Sequence, residues 1–324
     1  MKAVCYYDYG AADVLQYEEV GKPIPKSGEV LIRLRAASAN PLDWRAQRAD
    51  PFFIRFMGSG LLRPKQNILG VDIAGTVEAV GANVASFEPG DEVFGASRYG
   101  GFAEFVCASE DRVVPKPETV SFEQAASVPV AAVTALQGLR DKGRLQPGQR
   151  VLITGASGGV GTFAVQIAKS LGANVTGVCS TRNLDLVRSL GADHVIDYTR
   201  EDFTRTGERY DLIFDGAAYH SVVRCRHALR PDGTYVMVGG STARMLQSML
   251  LAPLTALTRK KIGFMVAQMN RKDLLFLKEL LETGDMRPVI DSRYPLRETA
   301  RALDYLEKGH ARGKVVINMT TEKN

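Results

Sequence analysis

The run Val151-Leu152-Ile153-Thr154-Gly155-Ala156-Ser157-Gly158-Gly159-Val160-Gly161 narrows the possible folds of this chain more than any other segment. An apolar strand leads into it. The segment leading out carries Val160, Ala164, Ile167, Ala168 and Leu171 at i, i+4, i+7, i+8 and i+11, one apolar face at helical period. Ala156-x-Gly158-x-x-Gly161 matches the dinucleotide fingerprint, with Ala in the first glycine position. A tight turn needs small residues there. Gly158 lets backbone approach a pyrophosphate, and Gly161 lets the helix pack close to the strand. The helix start then offers unpaired N–H groups and the positive end of its dipole to phosphates. Strand, turn and helix in that order supply the context the fingerprint requires.

A second test lies at the end of the next strand. Enzymes that take NAD place Asp or Glu there for the ribose 2′-hydroxyl. This chain has Cys179-Ser180-Thr181-Arg182-Asn183, with no carboxylate. Hydroxyls and the Arg182 guanidinium suit a 2′-phosphate. The segment therefore predicts NADPH over NADH. Ser180 and Thr181 also have the chemistry to cap the following helix, and the two roles are compatible.

The rest of the chain falls into two rhythms. Residues 1–118 show short strands, among them Val30–Leu34, Gly75–Val80 and Arg112–Val114, between turns such as Pro89-Gly90-Asp91 and Tyr99-Gly100-Gly101. From 119 to 286 strands and helices alternate. A helix starts at Ser121 as N-cap. Strands are predicted at Val151–Ile153, Val175–Val178, His194–Ile196, Asp211–Phe214, Thr234–Val238 and Ile262–Val266. Residues 287–324 are too few for a domain of their own. They read as a strand near Val289, a helix near Glu298–Leu306 and a strand at Lys314–Asn318 that complete the first domain. The expected class is α/β: a Rossmann-type doubly wound parallel sheet plus a β-rich domain.

Composition excludes several function classes. Net charge is +5, and the densest basic cluster is Arg259-Lys260-Lys261, with no stripe of the kind nucleic acid requires. Four cysteines stand far apart without a CxxC, which fits a reducing cytoplasm and no disulfide frame. Met1 to Tyr6 reads as a strand and not as a signal peptide. Met245–Leu257 is the most apolar stretch. It is too short to span a bilayer and is expected to be a buried or partner-facing helix pair. The apolar strand after it is expected at the sheet edge, where pairing across a twofold would give a homodimer.

The chain resembles the medium-chain dehydrogenase/reductase superfamily over nearly its whole length. The segments carrying the likeness are Gly28–Ile32, Leu69-Gly70-Val71-Asp72-Ile73-Ala74-Gly75, Pro89–Val93, Gly100–Glu104, Ala156–Gly161 and Ala311-Arg312-Gly313-Lys314-Val315-Val316. The β-rich part then corresponds to a GroES-like domain. Zinc alcohol dehydrogenases of that superfamily bring a Cys and a His to the metal. The corresponding segments here, Asn40-Pro41-Leu42-Asp43-Trp44 and Gly70-Val71-Asp72, hold neither. All four histidines lie beyond residue 118, and Cys5 and Cys107 are the only cysteines before it, so no metal ligand set is expected.

Asn40–Arg45 and Gly309-His310-Ala311-Arg312-Gly313-Lys314 further resemble the zinc-free quinone oxidoreductase branch, near the reticulon-interacting quinone reductases and the plant alkenal/enone reductases. That resemblance implies reduction of quinones or α,β-unsaturated carbonyls by NADPH. It implies cofactor contacts at Ser157, Gly159, Val160, Ser180, Tyr198, Phe264, His310, Ala311 and Arg312, and Gly239 is placed with them. The chain departs from mitochondrial members in showing no targeting extension.

Asn40 is the candidate polar group near the substrate oxygen or, alternatively, a turn residue before Pro41. Asp43 is expected to orient backbone or Arg45 more than to move a proton. Thr134 either reaches the cofactor or packs a small-residue helix. Trp44 and Phe53 are candidate pocket residues, and Phe52, Phe53, Phe56 and Met57 form either a flap over an apolar substrate or ordinary core. Competing readings are an NADPH-binding protein with little turnover, like the eye-lens relatives of this branch that also bind nucleic acid, and an alcohol dehydrogenase acting on simple carbonyls.

Overall fold

A computed structural model describes residues 1–57, 60–255 and 259–319, apart from the side chains of Phe53, Ile54 and Met57. The chain forms two compact units, one of residues 1–130 with 269–324 and one of residues 131–268.

The second unit holds a six-stranded sheet ordered His194–Asp197, Asn174–Cys179, Arg150–Thr154, Tyr210–Asp215, Leu229–Met237 and Lys261–Phe264. Every neighbouring pair is parallel. Numbered along the chain this is 3-2-1-4-5-6, the doubly wound order. Its direction reverses between Arg150–Thr154 and Tyr210–Asp215, where such sheets bind ligands. The predicted helix is Gly159–Ser170, and it buries Ala164, Ile167 and Ala168 completely, together with Phe163 and Val165. The other face of the sheet packs Leu152, Ile213, Tyr235 and Met237 against Val222 and Cys225.

Two local expectations are corrected. The last strand stops at Phe264 and not at Val266, whose side chain is exposed. The apolar stretch is one helix, Thr242–Thr255, that contains Pro253. It rests on the core through Met245 and Leu251 and leaves Leu246, Met249, Leu250 and Leu254 exposed, so it is not a buried pair.

The first unit is built on a strand of 11 residues, Glu29–Ala39. Val30, Ile32 and Leu34 point into the core while Arg33 and Arg35 are exposed; from Ala36 to Ala39 both faces are buried and the residues are small. Asp72–Val80 and Phe105–Ser109 pair with it antiparallel, and Glu92–Ala96 and Val113–Pro115 extend the sheet beyond Asp72–Val80. Lys314–Asn318 pairs antiparallel with Ala36–Ala39, as expected of a returning tail. The helix Phe122–Ala126 packs on Glu29–Ala39, and the helix Arg271–Thr283 packs on Val113–Pro115. The change of rhythm after residue 118 and the tail from residue 287 therefore both lie inside the first unit. Ser121 caps its helix as expected: Gln124 N donates to Ser121 Oγ at 3.2 Å, and Ser121 N donates to Gln124 Oε1 at 2.9 Å.

Candidate functional site

In the second unit the glycines are required by geometry. Gly155 turns the chain with φ +64°, and a Cβ on Gly161 would stand 2.0 Å from the Gly155 carbonyl oxygen. Ala156 N donates to Val178 O at 3.1 Å, which pins the loop to the second strand. Gly158 is the N-cap of Gly159–Ser170 and makes no side-chain cap bond. The first turn keeps its donors and its dipole for a ligand, and the cradle fits a pyrophosphate.

Beside this loop the structure brings Ser157 and Ser180 together. Asn183 Nδ2 donates to Ser157 Oγ at 2.9 Å and Ser180 Oγ at 3.3 Å, so one buried amide ties the first loop to the end of the second strand. Ser180 makes no capping bond of its own, and the Thr181 hydroxyl turns to Asp197, so neither acts as the helix cap considered above. Arg182 is exposed in the same turn, and Tyr198, 43% exposed, follows Asp197. A cavity of about 210 Å³ opens among Thr154, Val178, Tyr198, Phe203, Tyr219 and His220. The rings of Tyr198 and Tyr219 stand 5.0 Å apart. Gly239 lies where a Cβ would meet the Gly216 carbonyl oxygen at 2.8 Å, a close backbone approach. Phe264 ends the edge strand against the core, and Thr134 is buried in the helix Pro129–Leu136.

At the switch point sits Asp215, 1% exposed. It accepts from Tyr235 Oη at 2.6 Å, from Ala218 N at 2.7 Å and from Thr154 Oγ1. Thr154 Oγ1 in turn accepts from Ala217 N at 3.2 Å. The carboxylate holds the loop after the fourth strand; burial, and then the adjoining carboxylate, push the Tyr235 hydroxyl far above its usual range.

The first unit contains a sealed polar cluster. Asp72 is fully buried, and its Oδ2 accepts from Ser38 Oγ at 2.8 Å, Asn40 Nδ2 at 2.9 Å and Lys314 Nζ at 3.1 Å. Its Oδ1 accepts from Val130 N at 2.8 Å. Lys314 Nζ also donates to Asn40 Oδ1 at 2.6 Å. Asn40 is therefore occupied at both ends, its second amide donor lying 3.4 Å from Ser38 O. It is the N-cap residue of the helix Pro41–Arg48 but makes no side-chain cap bond; Asp43 N donates to its backbone carbonyl at 2.9 Å. The turn role is present in the geometry, and a bond to a substrate oxygen would require an exchange of partners. Asp43 Oδ2 accepts from Asn40 N at 2.7 Å and Oδ1 from Gly70 N at 3.1 Å, which is the backbone-orienting role. Burial raises its pKa to about 7 against the pull of those two N–H groups. Trp44 is half-buried, with the Arg45 guanidinium 5.0 Å from its ring. The Phe53 side chain lies outside the described residues. Phe52 and Phe56 are exposed, so neither is core. His310 and Arg312 are exposed in the turn before Lys314, with Ala311 between them half-buried.

Among the described residues no three His, Cys, Asp or Glu side chains gather closely enough to hold a metal. Burial pushes the thiols of Cys107 and Cys179 up to about 11, and those of Cys5 and Cys225 up to about 12, which leaves no ready thiolate.

Sequence reasoning missed Asp72, Lys314, Asn183, Asp197 and Asp215. The available signal was a charged residue inside an apolar strand run, as in Val71-Asp72-Ile73 and Lys314-Val315-Val316, where burial demands a partner.

Residues 26–118 match the family described as alcohol dehydrogenase GroES-like domain, and residues 190–317 match that described as zinc-binding dehydrogenase. The chain is 36% identical to the chloroplastic quinone-oxidoreductase QR1 of Triphysaria versicolor, over 98% of both chains. It is 34% identical to the chloroplastic NADPH-dependent alkenal/one oxidoreductase of Arabidopsis thaliana, over 98% of this chain and 79% of that one. The solved quinone oxidoreductase from Coxiella burnetii superposes with a TM-score of 0.88 at 31% identity, over 99% of each chain.

Proposed function

The chain belongs to the medium-chain dehydrogenase/reductase superfamily, among its quinone-oxidoreductase-like members, and from there we propose that it is a zinc-independent, NADPH-dependent reductase of quinones or α,β-unsaturated carbonyls. The observation that carries the zinc-free part is Lys314. Where zinc relatives supply Cys and His, this chain has Asn40, Val71 and Asp72, and its own ammonium neutralises the buried carboxylate. Carboxylate, amide and ammonium are a poor donor set for zinc.

NADPH, when bound, supplies a hydride to an electron-poor carbon. The chain's residues bind, orient and exclude water. The Gly158–Gly161 cradle takes the pyrophosphate, and Ser180 and Arg182 take the 2′-phosphate, with Tyr198 beside them. Ala156, Ser157, Gly159 and Val160 line the cradle; Thr134, Gly239, Phe264, His310, Ala311 and Arg312 are assigned to the cofactor from the family likeness. Asn40 and Asp43 act as positioning residues that fix the backbone around Gly70, and Trp44 and Phe53 belong to the acceptor pocket. The final proton comes from water, since a conjugated acceptor needs no strong acid.

The edge strand Lys261–Phe264 and the exposed Leu246, Met249, Leu250 and Leu254 support a homodimer. We place the protein in the cytoplasm on its four unpaired cysteines. Among the described residues no helix is long and apolar enough to cross a membrane.

The test is NADPH oxidation against matched quinones and 2-alkenals, with product analysis. Hydroquinone identifies the first class and a saturated carbonyl the second. Tight NADPH binding with no acceptor able to oxidise it would sink the enzyme assignment, and stoichiometric zinc in purified active protein would sink the metal-free one.

A further inference from the structure

The turn that carries Ser180 and Arg182 has a carboxylate beside it that its own sequence does not contain. Asp197 ends the third strand, paired in register with Cys179, and is 9% exposed. Thr181 Oγ1 lies 2.5 Å from its Oδ2 and Thr199 Oγ1 lies 2.7 Å from its Oδ1. Thr199 N also donates to Oδ1, at 3.0 Å, and Arg200 Nε stands 3.7 Å from Oδ2. The hydroxyl bonds, the Thr181 bond most of all, lower the carboxyl from its ordinary value, so it is ionised at neutral pH.

An ionised carboxylate only accepts, and a threonine hydroxyl has one proton. Both protons are therefore spent on Asp197, although the two hydroxyls are themselves only 3.1 Å apart. Thr181 and Thr199 are exposed, but with those protons taken their hydroxyls can offer a ligand only lone pairs. A 2′-phosphate, itself an acceptor, gains nothing from either and meets an added negative charge nearby.

We propose that Asp197 sets the selectivity for the adenosine 2′ group: it withholds the Thr181 and Thr199 protons and so moderates a preference that Ser180 and Arg182 would otherwise make stronger. The proposal rests on the NADPH assignment above. In Asp197→Asn, Oδ1 keeps both Thr199 bonds. Nδ2 donates to Thr181 Oγ1, and the Thr181 proton is released toward a phosphate.

The experiment is calorimetric binding of 2′,5′-ADP and 5′-AMP to the full chain, so that no turnover is needed. Asp197→Asn is expected to tighten 2′,5′-ADP by about tenfold, the size of one hydrogen bond to a charged group, and to leave 5′-AMP within about twofold. Thr181→Val is expected to be neutral in the native background and to cancel the gain in the Asp197→Asn background. A folded Asp197→Asn variant with unchanged or weaker 2′,5′-ADP binding overturns the proposal, as does a double variant that keeps the gain. If Asp197→Asn does not fold, Thr181→Val decides: a loss above about threefold means that Thr181 already donates to the phosphate, and neutrality supports the proposal. A native chain that binds 2′,5′-ADP no better than 5′-AMP removes the NADPH assignment, and the proposal falls with it.

Discussion

Asp72 and Asp215 are both buried aspartates, one in each unit, and the chain satisfies them by different means. Asp72 is met by a cation, an amide, a hydroxyl and a backbone N–H. Asp215 has only neutral donors in its described hydrogen bonds: two hydroxyls and a backbone N–H. A carboxylate sealed with its counter-ion is a closed unit of charge. One held by dipoles alone has no counter-ion among its described hydrogen bonds, and it fixes the loop at the switch point of the doubly wound sheet. The comparison separates a charge-balanced polar cluster in the first unit from a carboxylate in the second that organises the loop after the fourth strand.

The strongest way to break this contrast is Lys314→Met, which removes the cation and keeps the bulk. Asp72 would then be an uncompensated buried charge. The expected loss is about 3–5 kcal/mol, read as a lower denaturant midpoint, with NADPH turnover lost in parallel. An unchanged midpoint would mean that Asp72 is neutral in the native protein, and the two aspartates would no longer differ in kind.

Next in size is pH. Burial raises Asp43 from 3.8 to about 7. Between those values the native state holds a proton that the unfolded chain releases. This contribution is complete at low pH and is lost as pH rises through 7, with a slope of at most about 1.4 kcal/mol per pH unit. The stability difference between native and Asp43→Asn protein should therefore shrink from pH 5 to pH 8. A difference independent of pH would place the ionised carboxylate in the native state and refute the assignment.

Tyr235→Phe probes the neutral-donor side. Asp215 keeps two donors, so the expected cost is about 1.5–3 kcal/mol, smaller than for Lys314→Met. Because the lost bond anchors the loop through Ala218, 2′,5′-ADP binding should weaken along with stability. A stability loss without any change in binding would detach Asp215 from the cofactor site.

These residues also mark where the sequence was legible. The Gly155–Gly161 turn, the helical face behind it and the returning strand Lys314–Asn318 are local patterns of period 3.6 or 2, and each was found from its own segment. The turn residues carry their requirement in their own backbone, as Gly155 does at φ +64°. The clusters are not local. Lys314 meets Asn40 across 274 positions, and Asp72 across 242. Asp197 escaped because the carboxylate test covers only residues following the second strand, whereas strand pairing brings this one from the third. For the helix Thr242–Thr255 the buried and partner-facing alternatives both stayed open, because apolar composition does not say which face meets a core.

The finest test is Ser38→Ala. It removes one neutral donor from Asp72 Oδ2, which still receives Asn40 and Lys314. With the cation in place, the remaining donors close up on that oxygen and the expected cost is only about 1 kcal/mol. In a Lys314→Met background the same change should cost more, because the hydroxyl would then be one of the few dipoles left on an unbalanced charge. A double-mutant cycle measured by denaturant midpoint reads that coupling directly. Additive losses would show that Lys314 and Ser38 act independently, and Asp72 would then be held by separate donors, as Asp215 is, and not by a charge-balanced unit.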